Sequence, residues 1–253
     1  MSEVLVEARD GVQVITINRP EARNALNGAV ARGIAAAVDE LEESADLRVG
    51  VLTGAGGTFC AGMDLKAFLT GDVPLVEGRG LGGITEAPPR KPMIAAVEGY
   101  AVAGGFELLL ACDLVVASEK AMFGVPEVKR GLAAGAGAAL LLPQRIPMAI
   151  ALEMLMTGAS IDAARAAQLG LVNRVTPEGG ALAGALELAA QIAANGPLAV
   201  AVSKQIARSS HDWTTEEGWQ RQNELMMPVF TSEDAQEGAA AFAEKRPPVW
   251  KGR

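Results

Sequence analysis

IAAVEGYAVAGGFELLLACD, residues 94–113, reads as a short apolar strand (94–97), a glycine-bearing loop, and an apolar helix opening near Gly104. Gly104-Gly105 lets backbone approach a ligand closely, and the first N–H groups of a helix lack intrahelical partners and carry partial positive charge. Such a start is a candidate anion or oxyanion site. Glu107, three residues on, shares the first turn and the helix face of Gly104. From this stretch alone two readings stand: a catalytic carboxylate beside N–H donors, or an ordinary first-turn acid complementing the helix dipole.

Upstream, residues 4–9 and 12–18 flank Asp10-Gly11, a hairpin signal, so the chain is expected to open with two antiparallel strands. Asn18-Arg19-Pro20-Glu21 breaks the second strand. Asn27 is placed to cap a helix reaching about residue 43, with Val30, Ile34, Ala37, Val38 and Leu41 at helical spacing. A buried strand at 49–53 follows, then a glycine turn at 54–57. Residues 66–92, punctuated by Gly and Pro without a sustained period, are expected to form a functional wall or lid. Downstream come a strand at 114–117, a brief extended piece at 122–126 delivering Glu127, and GLAAGAGAALLLP (131–143), a turn into a helix closed by Pro143. This alternation argues an α/β core. The last third reads as helices at 149–156, 161–169, 181–194, 198–209 and 216–226, with a short strand at 171–175.

The 253 residues carry 22 Lys plus Arg against 30 Asp plus Glu, a net charge of -8, which argues against a general binder of nucleic acid or anionic membrane. Cys60 and Cys112 lie in apolar sequence without metal-ligand spacing and read as core residues of a reducing compartment. His211, the single histidine, is far from either, which disfavours a Cys/His nucleophile. No stretch approaches an uncharged membrane span and the N-terminus lacks a signal-peptide layout, so the expected location is the cytoplasm. Neither Gly54-x-Gly56 nor Gly135-x-Gly137 extends to GxGxxG, and there is no GxxxxGK[ST], GxSxG or HExxH. What remains is backbone donors plus carboxylates: Glu127 lies 20 residues after Glu107, enough chain to bring both to one cavity. Two carboxylates in one apolar pocket split their pKa values into an acid and a base.

NRPEARNALN (18–27), FCAGMDL (59–65), EGYAVAGGFELLLACD (98–113), FGVPEVKRGL (123–132), the segment 155–175 ending in GLVNRV, and FAEKRPPVW (242–250) occur together in this order. The chain thereby resembles the enoyl-CoA hydratase/isomerase, or crotonase, superfamily. The resemblance implies the crotonase (ClpP-like) α/β fold, a superhelix of repeated ββα units. A core over 1–195 and a helical C-terminal trimerisation region over 196–253 are expected. It implies hydration of a 2-trans-enoyl-CoA to a 3-hydroxyacyl-CoA, or the reverse dehydration. The backbone N–H groups of Ala61 and Gly104 would form the oxyanion hole, with Glu107 and Glu127 catalytic. The acyl-CoA would contact Arg23, Ala25, Ala61, Gly62, Met63, Asp64, Leu65, Lys66 and Gly104. Coenzyme A belongs to the substrate, no separate cofactor or metal is implied, and the expected assembly is a homotrimer or a hexamer made of two trimers. Lys245 and Arg246 would reach a neighbour's CoA. Three residues depart from the family pattern: Glu21 where a basic residue is common, Leu141 where an arginine is common, and Phe106 where a small residue is frequent. The third suggests an altered acyl pocket. The alternatives are a Δ3,Δ2-enoyl-CoA isomerase, which needs one base, and a non-catalytic acyl-CoA-binding protein, which needs neither glutamate.

Overall fold

The computed structural model describes residues 2–253. Strands β1 (Val4–Arg9) and β2 (Val12–Ile17) form the expected hairpin, with Asp10 and Gly11 at φ 51° and 78°, the left-handed pair a tight turn requires. Helix α1 (Gly28–Glu43) starts where the Asn27 side chain accepts the Val30 N–H at 2.9 Å. After β3 (Val49–Gly54), the long stretch expected as an unpatterned wall or lid holds α2 (Leu65–Leu69) and a small hairpin, β4 (Leu75–Val76) with β5 (Gly80–Leu81). Arg79 fastens it to α1, donating to the Ala35 carbonyl and pairing with Asp39.

The next elements are β6 (Met93–Val97), β7 (Tyr100–Val102), α3 (Gly104–Ala111), β8 (Leu114–Ser118) and β9 (Met122–Gly124). Their order is the expected one except for β7, which forms inside the stretch expected to be a glycine-bearing loop by pairing with β9. Glu127 follows on a 3-10 turn, Pro126–Arg130. Helix α4 (Ala138–Arg145) does not close at Pro143 but runs past it. One missing N–H costs one intrahelical bond, and Arg145 is anchored from outside the helix. After α5 (Met148–Thr157), the helix expected over 161–169 is divided. Ser160–Asp162 pairs with β9 as strand β10, and the Asp162 side chain then caps α6 (Ala163–Gln168). Strand β11 (Arg174–Thr176) and helices α7 (Ala181–Ala193), α8 (Pro197–Ser209), α9 (Thr215–Phe230) and α10 (Glu233–Glu244) complete the chain; α10 was not foreseen.

The main sheet runs β1-β2-β3-β6-β8-β11, parallel except for the β1–β2 hairpin. On one face Val12, Val49, Val51, Ile94, Ala96 and Val116 meet Ala185 and Ala189 of α7, whose small residues let it lie close. On the other face Ile15, Ile17, Leu52, Ala95, Val97 and Val115 join the larger core with α1 and α3. A second layer, β10-β9-β7, continues through the bridges Cys60↔Ala101 and Leu26↔Met63. It stacks the segments that follow successive main-sheet strands, so their loops meet in one place. No single helix among the described residues is long and apolar enough to cross a membrane.

Candidate active site

Polar bonds hold the turn after β2. Asn24, fully buried at φ 55°, donates to the Ala55 and Thr58 carbonyls at 2.8 and 2.5 Å and accepts the Arg19 N–H at 2.9 Å. Arg19 donates to the Ala25 carbonyl at 2.6 Å and pairs with Asp64 at 2.9 Å and Glu3 at 3.3 Å. Asp64 also accepts the Lys66 and Ala67 N–H groups, capping α2. Arg19 first, then these amides, hold the Asp64 carboxyl below the usual range. Its side chain is therefore committed, so contact between Asp64 and a ligand would use its backbone.

The strand-like segments 23–26 and 61–64 exchange three bonds. Ala61 N–H donates to the Arg23 carbonyl at 3.1 Å, Leu26 N–H to Gly62 at 2.8 Å, and Asp64 N–H to Leu26 at 2.8 Å. This alternation decides which amide is free. The Ala61 N–H, expected in the oxyanion hole, is consumed by Arg23. The N–H groups of Met63 and Gly104 have no acceptor among the described residues. The two backbones are in contact: a Cβ on Gly62, at φ +93°, would lie 2.8 Å from the Ala103 Cβ and 3.2 Å from the Gly104 nitrogen. Ala103, at φ 51° and ψ -128°, turns β7 into α3. For a residue other than glycine this conformation costs about 1–3 kcal/mol and is a mark of functional turns.

Glu107 is 4% exposed, and its Oε1 accepts the Ala136 and Ala138 N–H groups at 2.7 and 3.2 Å. Burial raises its pKa against the pull of those amides, and the charge of Glu127 raises it further. Burial likewise raises Glu127, opposed by its own N–H and by Arg130, and its buried Oε2 has no partner among the described residues. The two glutamates are thus brought together, each with its charged form disfavoured. Phe106 points the other way: fully buried, it packs edge-on against Phe123 at 6.5 Å, so the core, and not the pocket, takes its ring. Cys60 and Cys112 are buried free thiols, pushed up to about 12 by burial, and the Cys60 sulfur accepts the Gly62 N–H at 3.4 Å.

Arg23, Leu65 and Lys66 are exposed at the rim, and Arg23 and Lys66 make no ion pair among the described residues. Arg246 does not reach outward. Its guanidinium spans both oxygens of Glu237 at 2.5 and 2.9 Å and meets Glu244 at 2.6 Å. Lys245 closes α10 in a left-handed conformation. The group that sequence reasoning missed is the Met63 N–H. Its only signal is that a free amide must alternate with one bonded to 23–26, and that register is set between distant segments.

Repeated turns of strand, strand and helix around free N–H groups, buried Glu107 and half-buried Glu127 define the crotonase fold and its kind of site. A family model described as enoyl-CoA hydratase/isomerase matches residues 7–253, and the chain belongs to that family. The enoyl-CoA hydratase EchA19 of Mycobacterium tuberculosis is 42% identical over 266 residues, covering 99% of this chain and 97% of its own. The carnitinyl-CoA dehydratase of Proteus mirabilis is 42% identical over 262 residues, covering all of both. A crystal structure of enoyl-CoA hydratase from Mycobacterium tuberculosis H37Rv matches with a TM-score of 0.99 at 57% identity, again over all of both chains.

Proposed function

We propose that the protein hydrates a 2-trans-enoyl-CoA to the 3-hydroxyacyl-CoA, or runs the reverse dehydration, with the thioester oxygen between the N–H groups of Met63 and Gly104. The chain is an enzyme of the lyase class, as relatives that are a hydratase and a dehydratase support. The observation that carries the site reading is the pair of N–H groups without an acceptor among the described residues, on two backbones in contact, beside buried Glu107 and half-buried Glu127, both of raised pKa. As hydroxyl adds at Cβ, charge moves onto the thioester oxygen, where preorganised donors stabilise the enolate. The Glu107 carboxylate takes a proton from the attacking water and protonated Glu127 gives one at Cα. One proton shared by two such groups suits both roles, and its return from Glu107 to Glu127 resets the site. Arg23 and Lys66 are the free cations at the rim suited to CoA phosphates.

Trp219, Met227, Phe230, Phe242 and Val249 are exposed on α9, α10 and the tail, which supports assembly of copies through the helical region over 196–253, as a trimer or paired trimers. Mixing the protein with crotonyl-CoA and longer 2-enoyl-CoAs tests the activity. Loss of the conjugated enoyl-thioester absorbance is expected. Binding of the thioesters with no loss at any chain length would overturn hydration and favour the isomerase or binding alternatives.

A further inference from the structure

All eight residues of α3 are buried, and two turns is short for a helix. Its last carbonyls lack intrahelical donors, and a buried carbonyl needs one from elsewhere. Arg145, the last residue of α4, supplies several. Its Nη2 donates to the Leu110 and Cys112 carbonyls at 3.2 and 2.5 Å, and its Nη1 to the Asp113 carbonyl at 3.2 Å. Arg208 on α8 donates to the Ala111 and Cys112 carbonyls at 3.1 and 3.2 Å and pairs with Asp113 at 3.0 Å. At the opposite end of the same two helices, the Ala136 and Ala138 amides hold Glu107. Helices α3 and α4 thus lie side by side in the same direction and are tied twice: amides at and just before the start of α4 on a carboxylate of α3 in front, a guanidinium of α4 on carbonyls at and just past the end of α3 behind.

We infer that Arg145 is a positioning residue for the catalytic turn, fixing through the carbonyl end of α3 where Glu107, about 8 Å along the helix, and the Gly104 N–H, about 12 Å along it, stand. The inference rests on the oxyanion and carboxylate reading above and adds what holds it in place. The segment leading into α4 offers little other restraint. A Cβ on Gly135 would meet only the Ala133 carbonyl, at 3.9 Å, and Gly137 sits at φ +120°. Without the guanidinium, the Leu110 and Asp113 carbonyls lose their side-chain donor while Cys112 keeps Arg208. Helix α4 is then free to slide, and its front amides shift against Glu107. The guanidinium borders an open cleft with Leu141, Gln144 and His211, so a shorter side chain there leaves no sealed void.

Arg145→Met and Arg145→Lys test this, assayed on enoyl-CoA turnover well below the melting temperature. Arg145→Met is expected to lower kcat about 10- to 100-fold with KM little changed, because a small misplacement of reacting groups is expensive in rate. Arg145→Lys keeps the charge but cannot span carbonyls from Leu110 to Asp113, so its loss falls between. The infrared carbonyl band of isotope-labelled butyryl-CoA, which binds without turnover, reads donor placement directly. Its lowering on binding should be smaller in Arg145→Met than in the native protein. A lower melting temperature with unchanged kcat and an unchanged band would make Arg145 merely structural and overturn the inference. If Arg145→Met does not fold, Arg145→Lys with native kcat and a native band overturns it equally. A native protein that binds butyryl-CoA without lowering the band would overturn the oxyanion reading itself.

Discussion

At the front of α3 the Gly104 N–H has no acceptor among the described residues, whereas at its back each carbonyl from Leu110 to Asp113 accepts from Arg145 or Arg208. Both ends are buried and carry the same kind of unsatisfied backbone group, with opposite sign. The negative end is neutralised permanently by two cations of the fold. The positive end is left for a charge that arrives with a ligand. Around it the chain accepts an unfavourable backbone at Ala103, a buried carboxylate at Glu107 and a half-buried one at Glu127, features with no stabilising role of their own.

The contrast breaks most directly at Gly62. Gly62→Ala puts a methyl against Ala103 and beside the Gly104 nitrogen, covering the open end. Turnover should fall about 10²- to 10³-fold, as for loss of an oxyanion donor, while thioester dissociation constants measured by calorimetry rise modestly. Next in size is the Arg19–Asp64 pair that steadies the Met63 loop. Removing either side chain leaves a largely buried partner uncompensated, so Arg19→Met and Asp64→Ala should each cost about 1–3 kcal/mol in denaturant titrations and lower turnover less than Gly62→Ala.

A smaller effect sharpens the electrostatic side. A carboxyl whose pKa is raised on folding binds protons more readily in the native state. Its contribution is intact below the ordinary Glu value and is lost as pH rises through the raised one. Glu107→Gln should therefore gain melting temperature relative to the native protein as pH rises from 4 to 8, by a few degrees at most. A difference independent of pH would contradict the raised pKa. Smallest of all, Arg246→Met should leave the KM for an enoyl-CoA unchanged within about twofold, since an exposed guanidinium already paired to Glu237 and Glu244 has little to offer a ligand.

Local signals in the chain announced the α/β alternation, the Asp10-Gly11 hairpin, the Asn27 cap and the start of α3, because each is decided by a few adjacent residues. The three-residue strands of the second layer were harder to read, since β7 and β10 exist only through pairing with β9. Helix α4 passes Pro143 because Arg145 finds acceptors on another helix, which no local rule anticipates. The donor register is the sharpest case. FCAGMDL marks the loop, but whether Ala61 or Met63 is free depends on the Arg23 carbonyl, some forty residues earlier in the chain. Glu107 and Glu127 were legible as residue types, whereas their burial and mutual influence come from the fold.

The most direct test of the central claim is enoyl-CoA turnover by Glu107→Gln, Glu127→Gln and the double variant, alongside thioester binding. If both carboxylates act in one proton transfer cycle, each single change lowers kcat about 10²- to 10⁴-fold and binding persists. The double variant should then lose no more than about tenfold beyond the worse single, as groups acting as a unit do. Undiminished turnover in both single variants would contradict the two-carboxylate mechanism.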